Sequence, residues 1–419
     1  MNYKTISVIV LAAVYVYNLV LSVISLRSMD NPIPDNVSDV YDHDTYLKWR
    51  AYHAESTHFE ILTSTVTFVI VLILFQSNAY AAFAGMFPQG MFMQMFAVVL
   101  LSSLASLLLT PFSWHSTMEI EEKYGFNKSS AKTFWADQVK EFLVGLLVMV
   151  IIGSVLMWAH RKLGDWLVPA FAGLMMILVL GIAFLYPVMS RIFNKFVPLE
   201  DGKLRDKVTH LLEKNGYRVR DIQVMDASRR TTKSNAYFSG FGKMKTIVLY
   251  DTLVESMTPD EICAVFAHEL GHGLHKDTLK NQILSFLQIL MLAILAWLTL
   301  RTDEVFSEFD FQGVNYGFAL LLISNVEFAL ISPLFGLIVN YFSRKAEYRA
   351  DEQAVKEGYG EDLVSALKKL ARQNFSDLAP SPLLVKLEYS HPTLSQRINA
   401  IAENTQYEIQ QKETVGASA

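Results

Sequence analysis

Cysteine is almost absent: Cys263 is the single thiol in 419 residues. One thiol excludes an internal disulfide and any cysteine-rich zinc site, and Cys263 reads as a small buried residue. Charge is also scarce. Asp, Glu, Lys and Arg make up 18% of the chain, where a soluble domain carries about 25%. Nor is the charge basic: 36 Lys and Arg stand against 41 Asp and Glu, a net −5. That balance gives no electrostatic footprint for nucleic acid. Apolar residues take the place of charge, at 52% of the chain with a mean hydropathy of +0.27. They lie in long blocks, which is the pattern of membrane-spanning helices. The chain therefore reads as mainly α and polytopic in a membrane.

Seven blocks qualify, at about Ile6–Leu26, Phe59–Phe75, Met91–Leu109, Phe142–Trp158, Leu167–Met189, Ile283–Leu300 and Tyr316–Val339. The first exceeds a signal-peptide core and has no clear cleavage pattern, so it is expected to remain as an anchor. Pro111 is expected to close the third. Lys and Arg mark one side of these spans: Arg27, Lys48 and Arg50, then Lys123, Lys128, Lys132 and Lys140, then the segments after spans five and seven. The other side holds little beyond Lys4, Arg161, Lys162 and Arg301. The positive-inside rule puts the basic side and the C-terminus in the cytoplasm and the N-terminus outside or in a lumen. Four stretches follow: 1–190 with spans one to five, a cytoplasmic α+β segment at 191–280, spans six and seven at 281–342, and a cytoplasmic helical segment at 343–419.

The segment beginning at Pro259 reads PDEICAVFAHELGH and contains His268, Glu269 and His272. Residues four apart share a helix face, so the two imidazoles can reach one ion while Glu269 stands beside it as a base for an activated water. Thr258, Pro259 and Glu261 supply an N-cap, a first-turn proline and a capping box. A catalytic zinc takes three protein ligands and a water. His275 continues the face, but seven residues rise about 10.5 Å, too far for donors that must lie within roughly 4 Å of each other. Farther on, residues 343–351 read SRKAEYRAD, a helix expected to run to about Glu357 and stop at Gly358. Glu347 and Asp351 share a face there. One carboxylate can bind zinc while the other holds a ligand histidine; a solvated charged face is the alternative.

Ahead of the motif, Lys203–Asn215 reads as an amphipathic helix, and Asp221–Met225 and Lys245–Tyr250 as strands. Between them Ser234-Asn235-Ala236-Tyr237-Phe238 is extended, either an edge strand that pairs with a peptide or an ordinary hairpin strand. Glu327 inside span seven is expected to face the protein interior or a water-filled cavity, or to serve a structural hydrogen bond. His43, His53 and His58 with nearby Asp residues are expected to form a polar loop rather than a second metal site.

His268-Glu269-Leu270-Gly271-His272 with SRKAEYRAD resembles the CAAX prenyl protease 1 family of integral-membrane zinc metalloproteases, of gluzincin type. So do Glu122–Asn127 (EKYGFN), the run SNAYFSGFGKMKTIVLYDTL, and His391-Pro392-Thr393-Leu394-Ser395-Gln396-Arg397. The resemblance implies one zinc per chain on His268, His272 and Glu347, with Glu269 as general base and Asp351 behind a ligand. It implies that Asn235, with Ala236 and Tyr237 around it, holds the substrate backbone. It also places His391 and Arg397 in the active site, His391 stabilising the oxyanion. The implied fold is seven helices around an intramembrane chamber, capped by a small α+β zinc-protease domain. The implied partners are membrane lipids and lipidated or membrane-associated polypeptides ending in C-a-a-X. The membrane would be the inner membrane of a bacterium or the endoplasmic reticulum of a eukaryote. Two other readings stand beside it: a quality-control metalloprotease without a prenyl requirement, and a seven-span transporter or receptor with structural zinc. The last would need four closing protein ligands, where the motif offers a carboxylate base.

Overall fold

Backbone polar groups in lipid must be satisfied within their own segment, so apolar blocks fold as helices. The computed structural model describes residues 2–88, 90–239 and 244–417. The N-terminal half consists of α1 (Tyr3–Ser28), α2 (His43–Gln76), α3 (Ala79–Ala84), α4 (Met91–Trp114), α5 (Ala131–Leu163) and α6 (Leu167–Phe193). Side chains of Asn2, Asp42 and Ser130 accept first-turn N–H groups of α1, α2 and α5, which fixes where each begins.

A small α+β unit follows: β1 (Phe196–Pro198), α7 (Lys203–Lys214), β2 (Arg218–Met225), β3 (Ala236–Ser239), β4 (Met244–Tyr250), α8 (Asp251–Ser256) and α9 (Pro259–Leu274). The sheet order is β1-β2-β4-β3, with β2 and β4 parallel and both outer pairs antiparallel. β3 is thus an edge strand. α7 buries Val208, Leu211 and Leu212 on one face, and the chain turns after it at Gly216, whose φ of +78° suits glycine. The remainder is α10 (Asp277–Arg301), α11 (Asp303–Ser307), α12 (Tyr316–Leu322), α13 (Phe328–Lys356), α14 (Gly360–Gln373), α15 (Pro382–Leu387) and α16 (Leu394–Ala417). α13 ends where expected, with Gly358 at φ +89° just beyond it.

Among the described residues six helices are long and apolar enough to cross a membrane: α1, α2, α4, α5, α10 and the continuous α12–α13, and within α6 the apolar stretch Leu167–Gly181 adds to them. The helices overrun the apolar blocks because polar turns extend them; α13 carries the last span out to Lys356. Pro111 does not end the third span. α4 passes through it and continues as a π turn, His115–Glu121. Proline removes a single ladder bond, and a membrane helix can absorb that loss by local adjustment.

The spans close a ring. α1 packs on α2, α2 on the π turn that extends α4, and α4 on α5; α5 packs on α6, α6 on α10, α10 on α13, and α13 on α1. In four of the spans burial is confined to the helix ends. α2 buries nothing between Thr57 and Phe75, α5 nothing between Phe134 and Gly153, α10 nothing between Asp277 and Ala293, and α13 nothing between Ile331 and Ala346. A solid bundle fills its centre with interdigitated side chains along its whole length. These four spans instead leave their middles half-exposed between two packed ends. One end is sealed by Phe75, Leu156, Leu167, Phe306 and Phe309. The other is the core of the α+β unit, where Ile247, Leu249 and Phe266 meet Leu363 of α14.

Candidate metal centre

α9 begins as its sequence dictates. The Thr258 hydroxyl accepts the Glu261 N–H at 3.3 Å, and the Glu261 carboxylate accepts the Thr258 N–H at 2.8 Å. The same carboxylate accepts Ser365 Oγ at 2.6 Å and Lys369 Nζ at 2.7 Å from α14. Burial pushes its pKa up, but Lys369 and Ser365 outweigh burial and hold it below the usual glutamate range. Behind this anchor Ile262, Cys263, Ala264, Phe266, Ala267 and Leu270 are all buried. Burial pushes the Cys263 thiol up to about 11, which leaves it a packing residue.

Gly271 brings α13 against α9. A Cβ on Gly271 would fall 2.6 Å from Ala350 Cα, so the helices touch backbone to backbone there. That contact delivers Glu347 between the two histidines. His268 Nε2 lies 3.5 Å from Glu347 Oε2, and His272 Nε2 lies 3.2 Å from Glu347 Oε1. The imidazole planes are perpendicular, with centroids 4.9 Å apart.

Each imidazole is held from behind. His268 Nδ1 pairs with Asp351 Oδ1 at 2.8 Å, and His272 Nδ1 pairs with Asp277 Oδ2 at 3.3 Å. With Nδ1–H donating to a carboxylate, each Nε2 presents its lone pair inward. One donor atom from each of His268, His272 and Glu347 lies within 4.8 Å of the others, the one such group of metal-ligating residues among those described. Glu347 is buried, and its Oε2 accepts no well-formed hydrogen bond although Arg397 Nη1 stands 3.2 Å away. A buried carboxylate whose two oxygens each face one imidazole nitrogen, one of them orphaned, is a donor set that suits zinc with an open fourth position. Glu269, one residue past His268, is half-buried and forms no hydrogen bond among the described residues.

The other sequence-derived residues gather nearby with different contacts. Arg397 is buried and donates Nε to Asp351 Oδ2 at 2.9 Å and Nη2 to Oδ1 at 2.6 Å. It therefore braces the partner of His268. His391 Nε2 stands 3.4 Å from Glu347 Oε1, with its side chain 60% exposed, and Nδ1 pairs with Ser390 Oγ at 2.8 Å. Asn235 is exposed at the start of β3, and its carbonyl accepts the Tyr250 N–H at 3.1 Å. Ala236 and Tyr237 pair with Leu249 and Val248 on that edge strand, which packs against α9. His275 is the exposed C-cap of α9.

Asp277 is the residue that motif reading missed. It is buried at the start of α10 and also accepts Arg349 Nη2 at 2.8 Å and Lys280 Nζ at 3.1 Å. Its signal was an acid five residues after the second motif histidine. The acids ahead of α2 serve as a clasp: Asp39 accepts Lys368 at 2.7 Å and Asp42 accepts Arg372 at 2.6 Å. His43, His53 and His58 lie on α2 rather than in a loop, and His53 pairs with Ser25 at 3.0 Å. Glu327 ends a second π turn, Ile323–Glu327, and accepts the Thr299 hydroxyl.

Residues 198–405 match peptidase family M48, and residues 22–195 match the CAAX prenyl protease N-terminal family of five membrane helices. The chain is 32% identical to a CAAX prenyl protease 1 homolog of Arabidopsis thaliana over 92% of this chain and 94% of that one. It is 30% identical to CAAX prenyl protease 1 of Saccharomyces cerevisiae, over 89% of each chain. Against the Homo sapiens homolog the identity is 28%, over 90% of each. The crystal structure of S. mikatae Ste24p superposes with a TM-score of 0.87 at 27% identity, covering 96% of this chain and 99% of that one.

Proposed function

The chain belongs to the CAAX prenyl protease 1 family of M48 metalloendopeptidases, and on that premise we propose that its peptidase centre is His268, His272 and Glu347 with Glu269 as general base. The observation that carries this is the convergence of two Nε2 atoms on Glu347, each imidazole backed by its own carboxylate. Zinc, when bound by these three residues, supplies acidity to a water and polarisation to the peptide carbonyl. Glu269 takes the proton of the attacking water and later gives it to the leaving amine. His391, exposed and beside Glu347, donates to the oxyanion as the carbonyl carbon becomes tetrahedral. Arg397 is a positioning residue in this scheme: it grips Asp351, which holds His268, and its Nη1 stands 3.2 Å from Glu347 Oε2. The outer strand β3 at Asn235–Tyr237 aligns the substrate backbone by strand addition.

The substrate class we propose is a prenylated or otherwise membrane-associated polypeptide cut near a C-terminal C-a-a-X sequence. The half-exposed helix middles support this, since an apolar anchor can lie among them while the peptide reaches β3. The basic side of the spans, with the metal centre and the C-terminus, faces the cytoplasm in this proposal. The chain divides accordingly into spans one to five (1–190), the α+β unit with the metal helix (191–280), spans six and seven (281–342) and the segment that completes the centre (343–419). A structural-zinc receptor is disfavoured because the donor set among the described residues stops at three.

The test is a cleavage assay on a farnesylated C-a-a-X peptide and its unprenylated twin, with purified protein in lipid. Preferential cleavage of the farnesylated peptide is expected. Equal rates on both would refute the prenyl requirement and favour the quality-control reading.

A further inference from the structure

On the metal-centre side, where the first turns of α5 meet the last turn of α6, lies a cavity of about 420 Å³. Lys132, Lys140, Arg191, Lys195, Arg229 and Arg230 line it, against a single carboxylate, Asp137. The whole chain has net charge −5, so six cations around one acid is a local excess. Asp137 offsets only one of the six, through Arg230 Nε at 2.9 Å and Lys140 Nζ at 3.1 Å. Lys140 lies over the Phe193 ring at 5.3 Å and Arg191 over the Phe196 ring at 5.2 Å, which holds both charges in place. Lys132 and Arg229 are exposed, and neither side chain has a hydrogen bond or ion pair among the described residues.

The cavity lies at a defined depth. Along α5 from it, Trp135, Val139 and Leu143 are 52%, 57% and 56% exposed, and Ile192 of α6 is 52% exposed. This is a lipid-facing apolar band with a tryptophan at its edge, the usual marker of a membrane interface. Lys132 lies about one turn before Trp135 and Lys140 stands next to Val139, so the cations border this band at the level of lipid headgroups. Arginines and lysines between neighbouring spans at that depth are the chemistry that holds phosphate.

We propose that this cavity binds the phosphate headgroup of an anionic membrane lipid in the leaflet nearest the metal centre. The site is separate from the peptidase centre. α6 runs from it into β1, and Arg229–Arg230 belong to the segment leading to β3. A lipid held there tethers the α+β unit to the membrane beside its edge strand.

The experiment titrates fluorescent phosphatidic acid, and fluorescent phosphatidylcholine in parallel, against the full chain in phosphatidylcholine nanodiscs. Wild type is expected to take the acidic lipid in preference. K132Q/R229Q is expected to lose about tenfold or more of that affinity, the loss expected for two headgroup cations, while keeping its thermal midpoint in phosphatidylcholine alone. K203Q/K276Q, with the same charge change outside the cavity, is expected to bind as wild type does. Equal loss in both variants reduces the effect to overall charge and overturns the site. Unchanged binding in K132Q/R229Q, or no preference over phosphatidylcholine, overturns it as well. Displacement of the lipid by an equal concentration of inorganic phosphate assigns the cavity to free phosphate and overturns the lipid.

Discussion

Arg397 grips Asp351 with two arms of its guanidinium, Nε on Oδ2 at 2.9 Å and Nη2 on Oδ1 at 2.6 Å, and Asp351 in turn holds His268 Nδ1 at 2.8 Å. The imidazole is therefore fixed by a buried relay that starts in the C-terminal helix. A lysine cannot reproduce the planar fork. R397K is expected to lower metal affinity by about 10- to 100-fold, the usual cost of disturbing a ligand's outer partner. Metal content after dialysis against graded chelator measures it. Wild-type retention by R397K would remove Arg397 from the account.

The two histidines are not backed equally. His272 Nδ1 stands 3.3 Å from Asp277, against 2.8 Å for His268 and Asp351, and hydrogen bonds to charged acceptors weaken as they lengthen. D277N is expected to lose metal affinity, but less than D351N does. The same chelator series ranks them, and a larger loss in D277N would reverse the assignment.

Gly271 has its own consequence. A side chain there meets Ala350 Cα at 2.6 Å and Gln353 Cβ at 3.1 Å, so α9 and α13 must separate. Overpacking of this kind costs about 1–3 kcal/mol, and the separation also draws Glu347 from the histidines. G271V is expected to unfold at lower temperature and to lose metal. A variant that lost stability while binding metal normally would show that the close helix approach does not set the ligand geometry.

Much of this centre was legible in the sequence, and the reasons differ by residue. The α9 start was readable because a capping box is local chemistry. His268 and His272 were readable because i and i+4 share a face whatever surrounds them. Glu347 and Asp351 were visible as a pair, but spacing left open which one faces a metal; the α9–α13 contact brings Glu347 to both Nε2 atoms and leaves Asp351 behind His268. The position of Asp277 depends on the turn between α9 and α10, which carries Lys276 at a positive φ of 56°, and no periodicity announces that. Hydropathy located the spans but could not report that the middles of four of them stay unburied, because lipid-facing and inward-facing residues are equally apolar. Proline at 111 misled because its cost depends on whether the helix can absorb it as a π turn.

Asp377, in the loop after α14, gives a pH dependence. Burial pushes its carboxyl up to about 6 from 3.8, and its Oδ2 accepts no hydrogen bond. The native state then binds more protons than the unfolded chain between those values. Its contribution is fully present below about pH 4 and is lost as pH rises through about 6. D377N is expected to be more stable than wild type at pH 7.5, by up to about 2–3 kcal/mol, and close to it at pH 4. Thermal unfolding across that range checks the sign. A D377N that was less stable at pH 7.5 would contradict it.

The central claim is that Glu269 does the proton transfer at a centre built by His268, His272 and Glu347. E269Q tests it most directly, by zinc content and turnover measured on the same purified sample in lipid. The account predicts one zinc per chain, as in wild type, with cleavage reduced by about 10³-fold, within the range for loss of a general base. Zinc retained together with undiminished cleavage would contradict it.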